Sequence, residues 1–581
     1  MNSSLFTWET QIDTKKCALS GEPFIITDKD LLFYDQMSPI FNGEKYLIPS
    51  PTLSPKTRMQ RRMAFRNERY LYEWKCCFTG KPLVSMYHPD SHKKVCTTKL
   101  WWTDSWSGFD YGRKVDFDRP IFPQLGELWG DVPMMALYFT GNSENCDYTN
   151  HFWWGKSASK NCYLCFNSGD DEDCMFCKWV INSKDCLEMF FGAKDDHCYE
   201  CINCNECYGA FFSQDCTNCR ECTFCNACVG CQNCFGCINL VGQQYCIFNE
   251  KVEKTVYEKR MKELRITYKN LPLITAQVKK FHSTHPVRCH HNVKCENGVG
   301  DYLVNCKNVI GFEVFDCENV KYVNSSKHAK DSMDMTGYGY FSDHMLESLG
   351  SGHGSRVGFT SCCDICSDVY YSAWCMSSNH LFGCVGIKHS AHVVFNTAMS
   401  QQEYDILVPR VIDHMRSTGE WGEFFHPSIS SFGYNETIGL DNFPLSHETV
   451  EKYGWNWYNI PKKERTGTYI EPLDTNQYNS TIVGAETAEK NTTTLINGIV
   501  QCEETGEPYR ILKEELRFYI LHDLPIPRKH PQVRYNKRIE QMNPRVLNTT
   551  TCSECGTDIQ TTYLPWNRKI LCEECYRKIV Y

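Results

Sequence analysis

Between Asn161 and Cys246 the small apolar positions recur on every third residue, a period that neither an amphipathic helix nor a half-buried strand produces. All 18 cysteines of this stretch occupy positions divisible by three. In rows of 12, the second column reads Cys162, Cys174, Cys186, Cys198, Ala210, Cys222, Cys234, Cys246, and the fifth holds Cys165, Cys177, Cys201, Cys225 and Cys237. The saturated rows alone also fit 6 or 18; the sparse rows select about 12. A fixed short period predicts a solenoid in which each coil packs only on its neighbours. A strand advances roughly 3.3 Å per residue, so such a coil is narrow, and cysteine is a small hydrophobe able to fill it. Asn and Asp, frequent just before the cysteines, suit corners because they tolerate left-handed backbone.

A second, sparser solenoid is expected over 304–396. Asn305-Cys306 and Asp316-Cys317 repeat at 11 residues, His328-Ala329 follows at 12, and Cys363, Cys366, Cys375 and Cys384 restore the triplet phase. Phe235-Gly-Cys-Ile and Ile247-Phe-Asn249 align without gaps on Phe382-Gly-Cys-Val and Val394-Phe-Asn396. Each solenoid is followed by a helical pattern, Val252 to Leu264 and Glu403 to Met415, with Tyr257 and Tyr404 in register. Each exit helix is expected to cover the last rung. The glycine-rich run Gly350 to Gly358 lacks the Lys-Ser/Thr of a phosphate loop and reads as a wide turn.

The two ends echo each other. Cys17 to Tyr34 aligns on Cys502 to Tyr519, and Cys76 and Cys96 match Cys552 and Cys572 at one constant offset. In the C-terminal copy, Cys552-x2-Cys555 and Cys572-x2-Cys575 have the spacing of a zinc ribbon, so four thiolates predict one structural zinc. The N-terminal copy carries Thr79 and Lys99 in place of the second cysteine of each pair, and Ser20 and Thr505 stand where Cys17 and Cys502 need partners. Cys289, His290, His291 and Cys295 form a further candidate metal set, although the spacing is no standard knuckle. Basic runs include Arg58, Arg61, Arg62, Arg66 and Arg69 near one end and Lys529, Arg534 and Arg538 near the other, candidates for phosphate contacts or else for a solvated helix face or salt bridges to nearby acids. Trp101, Trp102, Trp106, Trp129, Trp153 and Trp154 crowd the approach to the ladder and are expected to plug an open solenoid end.

The predicted fold is therefore mainly β with helices: two tandem Cys-cored β-solenoids of about 12 residues per coil, flanked by zinc-ribbon-like modules. The expected divisions are 1–140 for the N-terminal module, 141–270 and 271–416 for the solenoids with their exit helices, 417–500 for an aromatic connector ending in a flexible link, and 501–581 for the C-terminal ribbon. A formal net charge of −9 makes the chain as a whole no polycation. The N-terminus lacks a signal-peptide pattern and no apolar run reaches membrane length, which points to an intracellular, cytoplasmic protein. In that setting 37 cysteines are expected mainly as reduced thiols and metal ligands. Disulfides between rungs remain sterically allowed.

The segments SPIFNGEKYLIPSPTL, RNERYLYEWKC, the NC/DC triplets, FGCV, TGEWGEFFHPSISSFGYNET and the terminal CxxC pairs together resemble a family of uncharacterised cysteine-rich proteins of candidate-phyla bacteria and giant viruses, some labelled CaiB/BaiF. That family typically shows full CxxC pairs in its N-terminal ribbon; here Ser20, Ser54, Thr57, Thr79 and Lys99 depart from it. The label implies a CoA-transferase, whose α/β domain has no counterpart in an alternating βα pattern here. A viral source implies a virion or assembly component.

The hydrolase elbow G-x-S-x-G is absent. Interior thiols in an apolar stack are expected to be inert. The reading is a non-enzymatic scaffold binding another macromolecule, most readily a protein or further copies of itself, with no membrane and no small-molecule cofactor. Alternatives are RNA or DNA binding through the ribbons and basic runs, and an enzyme with a thiol or metal centre.

Overall fold

The triplet of the first solenoid is a unit of backbone geometry. A computed structural model describes residues 8–138, 143–151, 159–337, 339–460, 464–564 and 568–580. One residue of each triplet pairs in parallel with the residue twelve further on, as in Tyr163↔Met175, Phe166↔Lys178 and Val229↔Val241. The next residue turns a left-handed corner; from Asn161 to Phe248 the non-glycine corners have φ between 47° and 59°. The third points inward. Four triplets close a coil, and about 20 coils of roughly 12 residues run between 143 and 394. Asn161, Asn167, Asp170, Asp173, Asn182 and Asp185 stand at corners, where a short polar side chain lowers a cost of about 1 kcal/mol or more per residue.

Two bonds of each triplet run between coils: Tyr163 N–H donates to Cys174 O at 3.0 Å, and Phe176 N–H to Tyr163 O at 2.9 Å. The inward residue's N–H lies inside the tube and is met by the inward side chain one coil earlier. Val180 N–H donates to Ser168 Oγ (3.2 Å), Ser183 N–H to Asp171 Oδ1 (2.9 Å) and Cys225 N–H to Ser213 Oγ (3.1 Å). Where that side chain is cysteine, the sulfur accepts: Asn249 N–H lies 3.4 Å from Cys237 Sγ, and the amides of Cys174, Cys198 and Cys216 approach the sulfurs of Cys162, Cys186 and Cys204. The thiol in turn donates to main-chain oxygen, Cys186 to Lys184 O at 3.2 Å. Cysteine thus suits the column for its size and because sulfur both donates and accepts weakly. These 18 side chains are at most 2% exposed, and all cysteines are free thiols.

The second solenoid carries a ten-stranded sheet from Glu296–Val304 to Thr397–Ala398, parallel except at its last strand. Its first coils advance by 11 residues, Glu296↔Lys307↔Glu318, and later ones by 12 or 13. Cysteine shares this core with a wall of Val309, Val320, Met345, Val357, Val369, Leu381 and Val393. The exits match: Lys254–Leu264 and Gln401–Thr418 are helices. Tyr257 packs 5.8 Å from Tyr245, and Tyr404 packs 5.7 Å from His392. Gly350 to Gly358 is an ordinary coil side leading into the strand Ser355–Ser361.

The terminal modules dock crosswise. In the N-terminal module, helix α1 (Asp28–Met37) and helix α2 (Pro55–Met63) pack on the second solenoid. In the C-terminal module, helix α3 (Lys513–Leu521) and helix α4 (Pro531–Ile539) bring Tyr519 and Arg534 against Tyr199 and Glu188 of the first. Three expectations change here. The aromatic segment after 417 is core, with Phe424 and Phe425 each 1% exposed between the N-terminal module and the second solenoid. The expected flexible link folds into helices Ser480–Val483 and Ala485–Asn497, anchored by buried Ala488 and Leu495. Of the tryptophans expected at the ladder, Trp101 and Trp106 pack on the second solenoid instead, with Lys388 Nζ 4.7 and 4.6 Å from their ring centres, Trp129 stacks on Phe65 at 6.0 Å, and Trp102 is exposed. Trp153 and Trp154 lie outside the described residues.

Candidate metal centre

Four hairpins in the chain share one turn, and each opens with a cysteine just past its first strand: Cys17, Cys76, Cys502 and Cys552. In each turn the cysteine N–H donates to the carbonyl five residues on, at 2.8–2.9 Å. A left-handed glycine four residues on (Gly21, Gly80, Gly506, Gly556; φ 68–74°) returns its N–H to the cysteine carbonyl. Glycine is needed there because the corner is left-handed. The turn aims successive N–H groups at the cysteine sulfur, and a second segment supplies one more from Ser54, Thr97, His530 or Cys572. All four are thus ribbon knuckles. Two echoes are visible in the sequence, but His530 as the second-segment donor to Cys502 has no sequence signal; the repeated Gly at the fourth place after each cysteine marks the shared turn.

Only the last knuckle keeps four thiols. Cys552, Cys555, Cys572 and Cys575 place their Sγ atoms all within 4.8 Å of one another, and Cys555 and Cys572 Sγ are 3.8 Å apart. A tetrahedral ion with Zn–S bonds of about 2.3 Å requires sulfur separations of about 3.8 Å. Cys572 N–H points at Cys552 Sγ (3.3 Å) and Cys575 N–H at Cys572 Sγ (3.5 Å). Burial opposes ionisation of Cys552, but the backbone N–H groups of Cys555, Cys572 and Glu554 outweigh it and lower its pKa to about 6, which favours the metal-binding thiolate. The cluster can hold a metal ion and leaves no open coordination position. The strand Ile570–Leu571 pairs in parallel with Val287–Arg288, so the ribbon sits where the two solenoids join.

The other knuckles have filled the ion's place with hydrogen bonds. Cys17 Sγ meets Thr57 Oγ1 at 3.4 Å, and Ser54 Oγ meets Thr57 Oγ1 at 3.0 Å. At Cys76 the Thr79 side chain takes the equivalent place, and Lys99 is exposed.

The set Cys289, His290, His291 and Cys295 is not brought together. His291 Nδ1 pairs with Asp301 Oδ1 at 2.9 Å, and its ring stacks on Tyr302 at 4.3 Å. Burial alone would lower its pKa; Asp301 and Asp215 reverse this and raise it to about 9. His290 Nδ1 accepts from Asn292 N–H, and Cys295 Sγ donates to Val293 O. Among the described residues the remaining ligand cluster is Asp185, Asp196 and His197, partly exposed and joined by their own ion pairs, with Asp185 and His197 on corners and Asp196 on the pairing position before one.

Six of the eight proposed nucleic-acid residues, Arg58, Arg61, Arg62, Arg66, Arg534 and Arg538, are buried, while Arg69 and Lys529 are partly exposed. Arg58, Arg61, Arg62 and Arg66 are 0–6% exposed. Arg58 Nε binds Asp334 Oδ2 (2.8 Å), Arg62 Nη1 binds Glu347 Oε2 (2.6 Å) and Arg61 Nη1 binds Glu423 Oε2 (2.7 Å). Arg534 and Arg538 both bind buried Glu188, Arg69 lies over the Tyr535 ring, and Lys529 pairs with Glu504. Carboxylates of the same chain thus already pair with Arg58, Arg61, Arg62, Arg534, Arg538 and Lys529. No helix among the described residues is long and apolar enough to cross a membrane. Comparison of the chain with protein-family models and with curated proteins finds no match.

Proposed function

We propose that the protein is a non-enzymatic scaffold: two cysteine-cored solenoids, locked by ribbon modules and one structural zinc ion, that present their flanks to another macromolecule. The observation that carries this reading is where the reactive groups lie. Ladder thiols are at most 2% exposed, and the buried guanidinium groups face carboxylates of the same chain. What the solenoid offers outward is a ruler. Asn297, Asn308, Asn319 and Asp331 form a side-chain ladder, linked at 2.8–2.9 Å, along one exposed corner. Such an array suits a partner with an extended, regularly spaced surface, as the assembly role implied by the family resemblance would require.

Native thiol titration with elemental analysis tests the scaffold half. The expected result is rapid labelling of exposed Cys77 and the partly exposed thiols only, with about one zinc per chain. Fast labelling of the ladder, or several metal ions per chain, would overturn it in favour of thiol or metal chemistry. Cross-linking in the source cells tests the binding half. One macromolecule should attach near Lys307 and Lys330 and detach when Asn308 and Asn319 are changed to Glu; cross-links scattered evenly over the surface would count against it.

A further inference from the structure

The knuckle at Cys76 lacks the thiols for an ion, yet it holds two further cysteines side by side. The second-segment N–H that faces Cys76 comes from Thr97, as that of Cys572 faces Cys552. Cys77 N–H donates to Val95 O at 2.7 Å, as Ser553 N–H donates to Ile570 O at 2.9 Å. Helices then start at Thr98 and at Glu573. In space, therefore, Thr97 stands in the place of Cys572, and Cys96 in that of Leu571, one residue before the knuckle.

Set back from the metal position, Cys96 meets the sulfur of Cys77 instead, and its S–H bonds to it. That bond outweighs the cost of partial burial and, with Lys94 nearby, lowers the Cys77 pKa to about 7, which favours the reactive thiolate. The same bond, with burial, raises the pKa of Cys96. Cys77 is exposed, whereas Cys96 is 0% exposed and belongs to the large aromatic core. Cys76, the chain neighbour of Cys77, is turned away: its sulfur accepts from the N–H groups of Phe78, Thr79 and Thr97 inside the turn. An accessible thiolate backed by an inaccessible thiol divides the labour of an exchange reaction, since a soluble reagent reaches one sulfur and the other resolves what forms there.

We propose that Cys77 and Cys96 form a reversible disulfide by exchange with a small soluble disulfide. The Cys77 thiolate attacks one sulfur of the reagent RSSR, breaking its S–S bond and releasing RS⁻. Cys96 then gives up its proton and attacks Cys77 Sγ, forming the internal bond and releasing the second RS⁻. The two cysteines are oxidised by two electrons, and RSSR is reduced to two RSH. The new bond ties the turn after Tyr72–Lys75 to the strand Val95–Cys96, a covalent clasp in a ribbon that has no set of four thiols for an ion.

Treatment of the full chain with oxidised glutathione, followed by peptide mass mapping, tests this. A Cys77–Cys96 linked peptide should form, disappear with dithiothreitol, and be absent from Cys77→Ser, a change at an exposed position. In Cys96→Ala the glutathione adduct should remain on Cys77, at least tenfold above its level in the native chain. A native chain that stops at the Cys77 adduct, a link from Cys77 to Cys76 instead, or no reaction at Cys77 would each overturn the proposal, whether or not Cys96→Ala folds.

Discussion

Arg58 and Arg534 stand at the same sequence offset as Cys76 and Cys552, and each buries its guanidinium beside a corner carboxylate of a different solenoid. Arg58 meets Asp334; Arg534 meets Glu188. One helical turn on, Arg62 reaches Glu347 and Arg538 reaches Glu188 and Glu200. All four carboxylates lie on left-handed corners. One docking device is therefore used twice, and it is crossed: the first module holds the second solenoid and the last module holds the first. The ends of the chain close over its middle.

Removing one arm of that device leaves two buried carboxylates one cation short. Arg62→Ala should destabilise the chain by about 3–5 kcal/mol in chemical denaturation, because Asp334 and Glu347 are both essentially inaccessible. The same change at exposed Lys307, paired with Glu296 at 3.9 Å, should cost under about 1 kcal/mol. Equal effects at the two sites would refute the buried-fork account.

Inside the ladder the sulfur must accept an amide as well as fill space. Cys186→Ser keeps an acceptor for the Cys198 N–H and should cost about 1 kcal/mol. Cys186→Ala leaves that N–H unpaired, a loss of about 1–3 kcal/mol, and Cys186→Leu overfills the tube by a similar amount. Urea midpoints of the three variants rank the two requirements. If alanine proves as stable as serine, size alone explains the cysteines.

Periodic features were legible in the sequence because each repeat states its own local geometry. The triplet named the inward position, and Asn161 or Asp173 before it named the corner. The spacing of Cys552, Cys555, Cys572 and Cys575 named the thiol cluster that can hold a metal ion. What could not be read was pairing at long range. Glu188 and Glu347 look like any other polar corner residue, so nothing along the chain marked them as counterions for Arg534 and Arg62. The basic runs therefore read as phosphate contacts, a solvated face or salt bridges, with the partner acids unnamed. Phe424 and Phe425 sit in a turn-rich segment whose burial depends on two distant partners. The helix Ala485–Asn497 was masked by its threonines, which lower helix propensity, while Ala488 and Leu495 anchor it from one face.

Glu436 gives the fold a pH dependence with a definite sign. Its carboxyl is 1% exposed and accepts from Tyr72 O–H at 2.6 Å. Burial outweighs that bond and raises its pKa from 4.5 to about 8. The folded state then keeps a proton that the unfolded chain releases across this window. Stability should fall by about 1.4 kcal/mol per pH unit from this group as pH rises from roughly 4.5 to 8. Glu436→Gln should remove that slope and raise the melting temperature at pH 8. A slope unchanged in the variant would show that other groups set it.

Metal removal should act locally before it acts globally. Four thiolates without a bound cation repel one another, and a ribbon of this size has little core to resist that. Chelation, or Cys555→Ser, should therefore release Asn548–Thr551, Asp558–Thr561 and Ile570–Leu571 to hydrogen exchange. Because Ile570–Leu571 pairs with Val287–Arg288, and Cys289 N–H donates to Leu571 O at 2.9 Å, protection should also fall at the entry to the second solenoid. The amides of Tyr163 to Gln232, held by coil-to-coil bonds, should keep their protection. Loss of protection throughout the first solenoid on chelation would mean that the metal supports the whole fold, and protection unchanged at 287–289 would mean that the ribbon is not coupled to the solenoid junction.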